Sequence, residues 1–360
     1  MHNWLRIIGD VAVNRAGGVP RRPGWCTYLV TYRCNARCGM CDSWRIKPGT
    51  ELSPEQARTV FAKIGRLDVV RLTGGEPFVR DDFAELARAV DEVASPAVLH
   101  ITSNGSLPER VAEFVEQFTR PRKLRFMISF DGMPAEHDAS RGREVTFALA
   151  DQTVRRLVEL RARFGVAVSI NHTVISKQSL EDHVQIVERF APLEVDVQAV
   201  LAYSDSAMYG LKRQRTKALD LVPKIGYPLH PNLEDADCVG FVERLLKRLD
   251  DVRDPLIRFG KRYYLRGLLA RLRGERRPHP KPRCVALRSH LRILPDGGVP
   301  VCQFNGERVG NLLHQSFAEL WQGPTTRESR NWVDACPGCW AECEVMPSAL
   351  YTGDLLLSAR

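Results

Sequence analysis

The amino-acid sequence predicts an α/β fold in which helices cover a parallel sheet, followed by a small cysteine-rich module. Short apolar runs typical of buried strands alternate six times with amphipathic helix-like segments before residue 203. After a proline-rich segment at 277–282, five of the ten cysteines follow between residues 284 and 343. With 360 residues, 44% of them hydrophobic, the chain is long enough to bury a substantial core.

The strands of the predicted sheet are the apolar runs at 27–32, 69–73, 98–103, 124–130, 167–175 and 195–202. Helices are predicted between them, at 82–93, 108–118, 147–164 and 180–190. The first helix opens at Ser53-Pro54-Glu55-Gln56, where Ser53 is a suitable N-cap, Pro54 suits the first helical position and Gln56 completes a capping box.

Polar motifs follow the first four predicted strands. They are a cysteine loop at 34–41, Gly74-Gly75-Glu76-Pro77, Asn104-Gly105 and Asp131-Gly132. In parallel α/β folds, ligands bind at the carboxyl ends of the strands. We therefore expect the functional site at this edge of the sheet.

The cysteine loop contains three cysteines, Cys34, Cys38 and Cys41. Three thiolates can hold three irons of a cubane cluster and leave the fourth iron free to bind another ligand. The alternatives are a structural zinc site or three buried thiols. Structural zinc requires four closed ligands, and the nearest further cysteine in sequence is the distant Cys26.

The cysteine triplet, with Met40 before its last member and Gly74-Gly75-Glu76-Pro77 after the second strand, resembles the radical S-adenosylmethionine (SAM) superfamily. The resemblance runs from about residue 25 to about residue 202. It implies a partial (β/α)6 barrel, a 4Fe-4S cluster whose open iron chelates SAM, and an external one-electron donor such as flavodoxin or ferredoxin. It further implies an oxidoreductase-type enzyme that reductively cleaves SAM to a 5'-deoxyadenosyl radical, which abstracts a hydrogen atom from an organic substrate.

The resemblance also implies roles for individual residues. Gly74 and Gly75, with Pro77, match the methionine-binding turn, in which glycine lets the backbone approach a ligand, and Glu76 can accept a hydrogen bond from an ammonium. The backbone of Met40 is expected at the adenine, and Arg141 at the SAM carboxylate. The residues expected at the amino-acid end or the ribose of SAM are Ser103, Asn104 and Ser129.

The C-terminal cysteines are predicted to form a second site. Between Cys284 and Cys302, residues 291–294 and 299–301 flank Asp296-Gly297-Gly298, which predicts a hairpin. The spacing resembles the SPASM/Twitch extension of radical SAM enzymes, in its shorter form with one auxiliary 4Fe-4S cluster. We favour Cys284, Cys302, Cys336 and Cys339 as ligands, with Cys343 as a substitute ligand or a neighbouring thiol. A zinc ribbon fits the same spacing.

The formal net charge of +9 is concentrated in one stretch, because residues 253–283 contain eleven Lys or Arg against Asp254 and Glu275. A solvated helix leading into a linker is the simpler interpretation. The alternatives are contact with an acidic peptide, a phosphorylated substrate or, peripherally, an anionic membrane; a nucleic-acid partner is not expected. The predicted parts are an N-terminal segment (1–23), a radical SAM core (24–235), a basic helical linker (236–283) and an auxiliary-cluster domain (284–360). Without a signal sequence or spanning segment, we expect a cytoplasmic protein.

Two substrate classes stay open. A small molecule that is dehydrogenated or epimerised is slightly favoured, since only about 25 residues precede the first strand and peptide maturases often carry an N-terminal leader-binding domain. The alternative is a maturase that cross-links, oxidises or epimerises a ribosomally made peptide. A more distant alternative is a noncatalytic metal-bound scaffold.

Overall fold

The computed structural model describes residues 4–47, 49–204, 227–252 and 254–357. Its centre is a seven-stranded sheet in which every pairing is parallel. The strands are β1 (Trp25–Thr31), β2 (Val69–Gly74), β3 (Val98–Ser103), β4 (Leu124–Phe130), β5 (Ala167–Val174), β6 (Asp196–Leu201) and β7 (His290–Ile293). They are ordered β6-β5-β4-β3-β2-β1-β7, so the first six follow the chain as in a (β/α)6 barrel, which confirms the predicted fold class.

α-Helices connect these strands and make up much of the rest of the described molecule. They are α1 (Trp4–Arg15), α2 (Pro54–Ile64), α3 (Phe83–Ala94), α4 (Pro108–Gln117), α5 (Pro134–Arg141), α6 (Thr146–Phe164), α7 (Lys177–Phe190), α8 (Asp235–Lys247), α9 (Pro255–Leu272), α10 (Phe317–Gln322), α11 (Pro324–Ala335), α12 (Glu342–Tyr351) and α13 (Asp354–Leu357).

Local sequence explains why α2 begins at Pro54. The side chain of Ser53 accepts a hydrogen bond from the backbone N–H of Gln56, and the side chain of Gln56 accepts one from the backbone N–H of Ser53. This is the predicted capping box, which satisfies two donors that the first helical turn leaves free. The helix then packs its apolar side, including Val60 and Phe61, into the main core.

The two faces of the sheet differ in burial. In β3, Leu99 and Ile101 are fully buried under the outer helices, whereas His100 and Thr102, which point to the other side, are half-buried. The same alternation continues in β4 and β5. The inner side of the sheet is therefore a concave, partly accessible face, as expected for a partial barrel.

The strand β7 corrects the predicted hairpin. Residues 291–294 do not pair with 299–301; instead β7 runs parallel to β1, with His290 opposite Trp25. Only the predicted turn is present, where the backbone N–H of Leu294 donates to the carbonyl of Gly298. The following strand, β8 (Gly298–Pro300), pairs antiparallel with β9 (Arg308–Asn311). The sheet thus crosses the boundary predicted at residue 284.

Within the basic stretch, residues 255–272 form α9, whose apolar side is buried against α8 and α12 in a second hydrophobic cluster. Tyr263 and Tyr264 lie there beside Trp340, and the guanidinium of Arg271 lies 3.7 Å from the centre of the Trp340 ring. Membrane contact by this stretch stays a prediction. Within the described ranges, no helix has the length and apolar character needed to span a bilayer.

Candidate functional site

The cysteine loop leaves the carboxyl end of β1 and is held by the end of α5. The backbone N–H of Arg37 donates to the carbonyl of Arg141 at 2.8 Å, and that of Gly39 to the carbonyl of Ser140 at 3.2 Å. The hydroxyl of Ser140 also lies 3.9 Å from the sulfur of Met40. The position of the three cysteines therefore depends on α5, a contact that the sequence does not reveal.

The three thiols of the cysteine loop, those of Cys34, Cys38 and Cys41, are close enough for their charges to interact. Burial raises their pKa, to about 11 for Cys34 and about 12 for Cys38, and in each case Arg141 opposes the rise. Cys41 in turn raises the pKa of both other thiols. None of the three is in a disulfide.

This donor set fits a cubane cluster. The cysteine nearest in sequence, Cys26, is fully buried in the hydrophobic core beneath the helices and does not join the group. Among the described residues, no group of three His, Cys, Asp or Glu side chains is placed to hold a metal ion, so the ligand role of these three thiols stays a prediction. A cubane cluster places each thiolate on a separate iron, so three spaced thiols can ligate three of its corners.

The Gly74-Gly75-Glu76-Pro77 turn follows β2 and packs against the start of the cysteine loop. The backbone N–H of Gly75 donates to the carbonyl of Thr31, and that of Glu76 to the carbonyl of Arg33. A Cβ on Gly74 would lie 2.2 Å from the Thr31 oxygen, and one on Gly75 would lie 2.1 Å from the Arg33 oxygen. The backbone just before the cysteine loop therefore requires glycine at both positions. The expected approach of SAM to this turn stays a prediction.

The Glu76 side chain is completely buried and organises the neighbouring turn. Its carboxylate accepts hydrogen bonds from the backbone N–H of Phe78, the hydroxyl of Ser103 and the backbone N–H of Asn104, at 2.7–3.1 Å. Burial raises the pKa of Glu76 to about 7, although these hydrogen bonds and Arg141 oppose the rise. A hydrogen bond from the ammonium of SAM to Glu76 would come in addition to these three bonds. That contact stays a prediction.

The turn after β3 carries the predicted Asn104. Its side-chain N–H₂ donates to the side-chain oxygen of Asn35 and lies 3.9 Å from the sulfur of Cys34. Its side-chain oxygen accepts from the backbone and the hydroxyl of Ser106, whose own oxygen accepts from Asn35. Asn104 therefore links the third strand end to the cysteine loop.

Arg141, the last residue of α5, is buried and paired with Asp131 at the end of β4. Its Nε lies 2.6 Å from one carboxylate oxygen and its Nη2 donates to the other at 2.7 Å. Asn35, Asn104 and Arg143 line the same small cleft as Arg141. The geometry brings Arg141 beside the cysteines, and its pairing with a SAM carboxylate stays a prediction.

The remaining predicted residues occupy three different positions. Pro77 is buried at the start of a short 3₁₀ turn, Pro77–Val79. Ser103 faces Glu76 and is 2% exposed, so its side chain belongs to the turn rather than to the open cleft. Ser129 is half-buried on the concave face, opposite Asn171 of β5.

Sequence reasoning missed Asp131 and Asn35 as site residues. Asp131 was visible only as part of a turn after the fourth strand, and its fully buried carboxylate pairs with Arg141. Asn35 lies inside the cysteine motif and connects Asn104 to Ser106. An acidic residue at a strand end, ten residues before an arginine, was the available signal for Asp131.

Four C-terminal cysteines lie near one another. Burial is the largest cause of the raised pKa of Cys284, Cys302 and Cys339. Cys336 adds to the rise at Cys284, and Cys284 adds to the rises at Cys302 and Cys339. The sulfur of Cys302 also accepts a hydrogen bond from the backbone N–H of Asn305 at 3.3 Å. These are the four residues that the sequence favours as ligands of an auxiliary cluster; their ligand role stays a prediction.

Cys343 has different neighbours. Its thiol contacts the side-chain oxygen of Gln303, and the backbone N–H of Gln303 donates to Glu344. Glu344 pairs with Arg292 at 2.8 Å and with His290 at 3.2 Å. Burial opposes ionisation of Glu344, but Arg292 and His290 lower its pKa to about 2. Cys343 is thus placed by a buried ion-pair network between α12 and β7.

Family models match both predicted regions. Residues 28–190 match the radical SAM superfamily, and residues 284–343 match the SPASM iron-sulfur cluster-binding domain. The first match includes Cys34, Cys38 and Cys41, and the second contains Cys284, Cys302, Cys336, Cys339 and Cys343. The cofactors of these two domains are SAM and two 4Fe-4S clusters.

Curated relatives share about half of the chain. The sporulation killing factor maturation protein SkfB of Bacillus subtilis is 34% identical over 174 residues, which cover 47% of this chain and 42% of SkfB. The GTP 3',8-cyclase of Aquifex aeolicus is 30% identical over 175 residues, covering 45% of this chain and 50% of the cyclase. The chain therefore spans about half the length of the curated relatives it matches.

A solved structure shares the fold over nearly the whole chain. It is native anSMEcpe with bound AdoMet and Cp18Cys peptide, with a TM-score of 0.58, 17% identity, and coverage of 94% of this chain and 99% of that one. This likeness shows the fold. The two family matches, which include the cysteine triplet at the sheet edge, identify the family. The chain belongs to the radical SAM superfamily and carries a C-terminal iron-sulfur domain of the SPASM type.

Proposed function

We propose that the chain is a radical SAM enzyme that abstracts a hydrogen atom from an organic substrate bound on the concave face of the sheet. The observation that carries this proposal is the meeting of four strand-end motifs at one edge. The cysteine loop, the Gly74-Gly75 turn, Asn104 and the Asp131–Arg141 pair are joined there by hydrogen bonds or ion pairs. Directly below them lies the partly accessible inner face of the sheet.

The chemistry comes from the cofactors. When bound, the cluster and SAM supply a 5'-deoxyadenosyl radical through one-electron cleavage of the sulfonium, with the electron coming from a flavodoxin or ferredoxin. The chain's own residues hold and orient these groups. Cys34, Cys38 and Cys41 are the proposed iron ligands, and Arg141, fixed by Asp131, provides positive charge next to them.

The auxiliary cluster is proposed to be held by Cys284, Cys302, Cys336 and Cys339. A substrate radical that is oxidised must lose one electron and one proton. An iron-sulfur cluster beside the inner face of the sheet is a suitable acceptor for that electron. The ion pair between Arg71 of β2 and Glu342 of α12 supports this placement, because it joins the cysteine-rich part to the inner face of the sheet.

A peptide is the first candidate substrate class, and two of the comparisons support it. SkfB is named as a maturation protein, and the solved structure that covers 94% of this chain contains a peptide. The small molecule that the sequence slightly favoured is the second candidate, supported by the relative that is named as a GTP cyclase. Dehydrogenation, epimerisation and cross-linking share the same first hydrogen abstraction.

Anaerobic reconstitution with iron and sulfide, followed by reduction in the presence of SAM, tests the proposal. We expect formation of 5'-deoxyadenosine and methionine. The triple variant C34A/C38A/C41A, which keeps the C-terminal cysteines, should form neither product. Reduced wild-type protein that binds iron but leaves SAM intact would support the scaffold alternative and contradict the proposal.

Deuterium transfer separates the substrate classes. Candidate peptides and small molecules carrying deuterium at C–H positions are added to the reduced holoenzyme. The true substrate delivers its deuterium into 5'-deoxyadenosine, which mass spectrometry detects. Transfer from a small molecule, with none from any peptide, would assign the second candidate.

A further inference from the structure

The part of the concave face nearer the carboxyl ends of the strands, called the upper part here, is polar but uncharged. Ser129 of β4, Asn171 of β5 and Gln198 of β6 lie opposite one another in register. All three side chains are half-buried and belong to the inner face. Hydroxyl and amide groups both donate and accept hydrogen bonds, so this part of the face suits a neutral polar body.

The part of the same face nearer the amino ends of the strands, called the lower part here, carries positive charge. Arg71 of β2, His100 of β3 and Arg125 of β4 are consecutive neighbours in register. Arg71 precedes the Gly74-Gly75 turn by three residues, so this row lies roughly 10 Å below the proposed SAM site. The row continues through Thr27 of β1 to Arg292 of β7.

The charges in this row do not cancel among the described residues. Arg292 pairs closely with Glu344, at 2.8 Å. Arg71 pairs with Glu342, but its Nη1 and Nη2 both face a single oxygen, at 3.3 and 3.4 Å, longer than a good charge-assisted hydrogen bond. Arg125 donates to the backbone carbonyls of Arg122 and Leu124 and has no acidic partner within the described ranges. Three guanidinium groups thus face two carboxylates.

Two buried polar atoms in this row have no hydrogen-bond partner among the described residues: Nε of Arg71 and Nδ1 of His100. Arg71 is only 9% exposed, and Val70 and Leu72 beside it are fully buried under the helices, so its exposed part faces the concave side. Burial and Arg71 lower the pKa of His100 well below its ordinary value, which keeps the ring neutral. Buried groups left unpaired in this way are costly, and a bound ligand would satisfy them.

We propose that the substrate carries a carboxylate that binds at the Arg71–His100 position, while its neutral polar body lies along Ser129, Asn171 and Gln198. One excess positive charge matches a monoanion, whereas a phosphate dianion would leave one negative charge uncompensated. The polar face would then hold the part of the substrate that reaches toward SAM. This inference rests on the proposed function and adds a substrate class to it.

Saturation-transfer NMR on the anaerobic holoenzyme with SAM tests the inference. The probes are N-acetyl-L-alanine, a monocarboxylate, and N-acetyl-L-alaninamide, its neutral counterpart. We expect the acid to bind at least about tenfold more tightly than the amide, as a hydrogen bond to a charged group implies. The R71Q variant should reduce that preference to about twofold, while R122Q, at an exposed arginine outside the face, should keep it.

The same samples separate the possible outcomes. Because loss of Arg71 leaves Glu342 unpaired, thermal melting and iron content are checked, and His100→Asn provides a second variant that should weaken the acid preference. Equal binding of both probes, no binding of either, or an unchanged preference in both variants overturns the inference. If R71Q shifts only the reduction potential of the auxiliary cluster, Arg71 serves the cluster and the inference is wrong. Production of 5'-deoxyadenosine is measured in parallel, so that either proposal can fail while the other stands.

Discussion

The guanidinium of Arg141 lies between the carboxylate of Asp131 and the thiols of the cysteine loop. Both residues are buried, with side chains 8% and 0% exposed. Burial alone would lower the pKa of Arg141, but Asp131, Cys38 and Cys34 raise it above its ordinary value. Asp131 also accepts a hydrogen bond from Ser140, whose carbonyl holds Gly39. One acidic side chain therefore fixes both the arginine and the loop.

The Asp131→Asn variant should lose this arrangement. Removing one partner of a buried ion pair costs about 3–5 kcal/mol, so we expect a lower melting temperature and weaker binding of SAM to the reconstituted protein. Melting is measured by circular dichroism, and SAM binding by the change it causes in the EPR spectrum of the reduced cluster. The control is Asp81→Asn, at a side chain that is 89% exposed. Unchanged melting and EPR spectra in Asp131→Asn would contradict this account.

Each cysteine of the first cluster should be required for its iron. Cys34→Ala, Cys38→Ala and Cys41→Ala remove one of only three ligands, so we expect each variant to lose about four irons per chain relative to wild type. Iron is measured after anaerobic reconstitution and desalting. Cys26→Ala is the control, since Cys26 lies in the hydrophobic core. Full iron in any of the three variants would contradict their role as ligands.

Cys339 and Cys343 should behave differently. We expect Cys339→Ser to lose the auxiliary cluster, whereas Cys343→Ser should keep it, because the Cys343 thiol contacts Gln303 in the Glu344–Arg292 network. Mössbauer spectra of the C34A/C38A/C41A background isolate the auxiliary cluster. The reverse result would make Cys343 the ligand. Zinc in place of iron in protein purified anaerobically would support the zinc-ribbon alternative.

Gly75→Ala should destabilise even the metal-free protein. The added Cβ would lie 2.1 Å from the carbonyl oxygen of Arg33, so the backbone must move, at a cost of about 1–3 kcal/mol. Gly39→Ala is a matched control in the same site, because a Cβ there has no neighbour within 4 Å. The two variants are compared by chemical denaturation. Equal stabilities would show that the turn and the loop are less tightly packed than described.

Asp10 should make stability depend on pH. Burial raises its pKa to about 6, above the unfolded value near 3.8, while Arg6 opposes the rise. The folded state then holds more protons, so this group's contribution to stability is present below about pH 4 and is lost as pH rises through 6. Asp10→Asn should remove that loss and stabilise the protein by about 1–3 kcal/mol at pH 7.5, with little effect at pH 4. Melting curves across this range, with Asp250→Asn as an exposed control, check the sign.

Local signals in the sequence placed most elements of the first two hundred residues correctly. The bounds of β3 and β4 and the start of α2 were predicted to the residue, because alternating burial and a capping box are encoded within a few positions. The strand-end motifs were likewise predicted to share one edge. These features depend on near neighbours in the chain, which a single sequence displays.

Pairings between distant residues could not be predicted. Residues 290–293 have a strand pattern, but nothing local indicates that β1 is their partner. Gly75 was recognised as a position for close approach, but its contact with the carbonyl of Arg33 was not foreseen. Arg141 was recognised as a cation at the site, while its partner Asp131 became visible only when α5 was placed against β4. Each case depends on tertiary contacts.

The pairing of β7 with β1 has a consequence for biosynthesis. During translation the first strand emerges early, but its partner at residues 290–293 leaves the ribosome much later. Until then the strand that leads into the iron-binding loop presents unpaired backbone groups, which attract other chains. The nascent protein therefore carries an aggregation-prone edge until residues 290–293 are synthesised, and a product terminated before residue 284 would retain that edge.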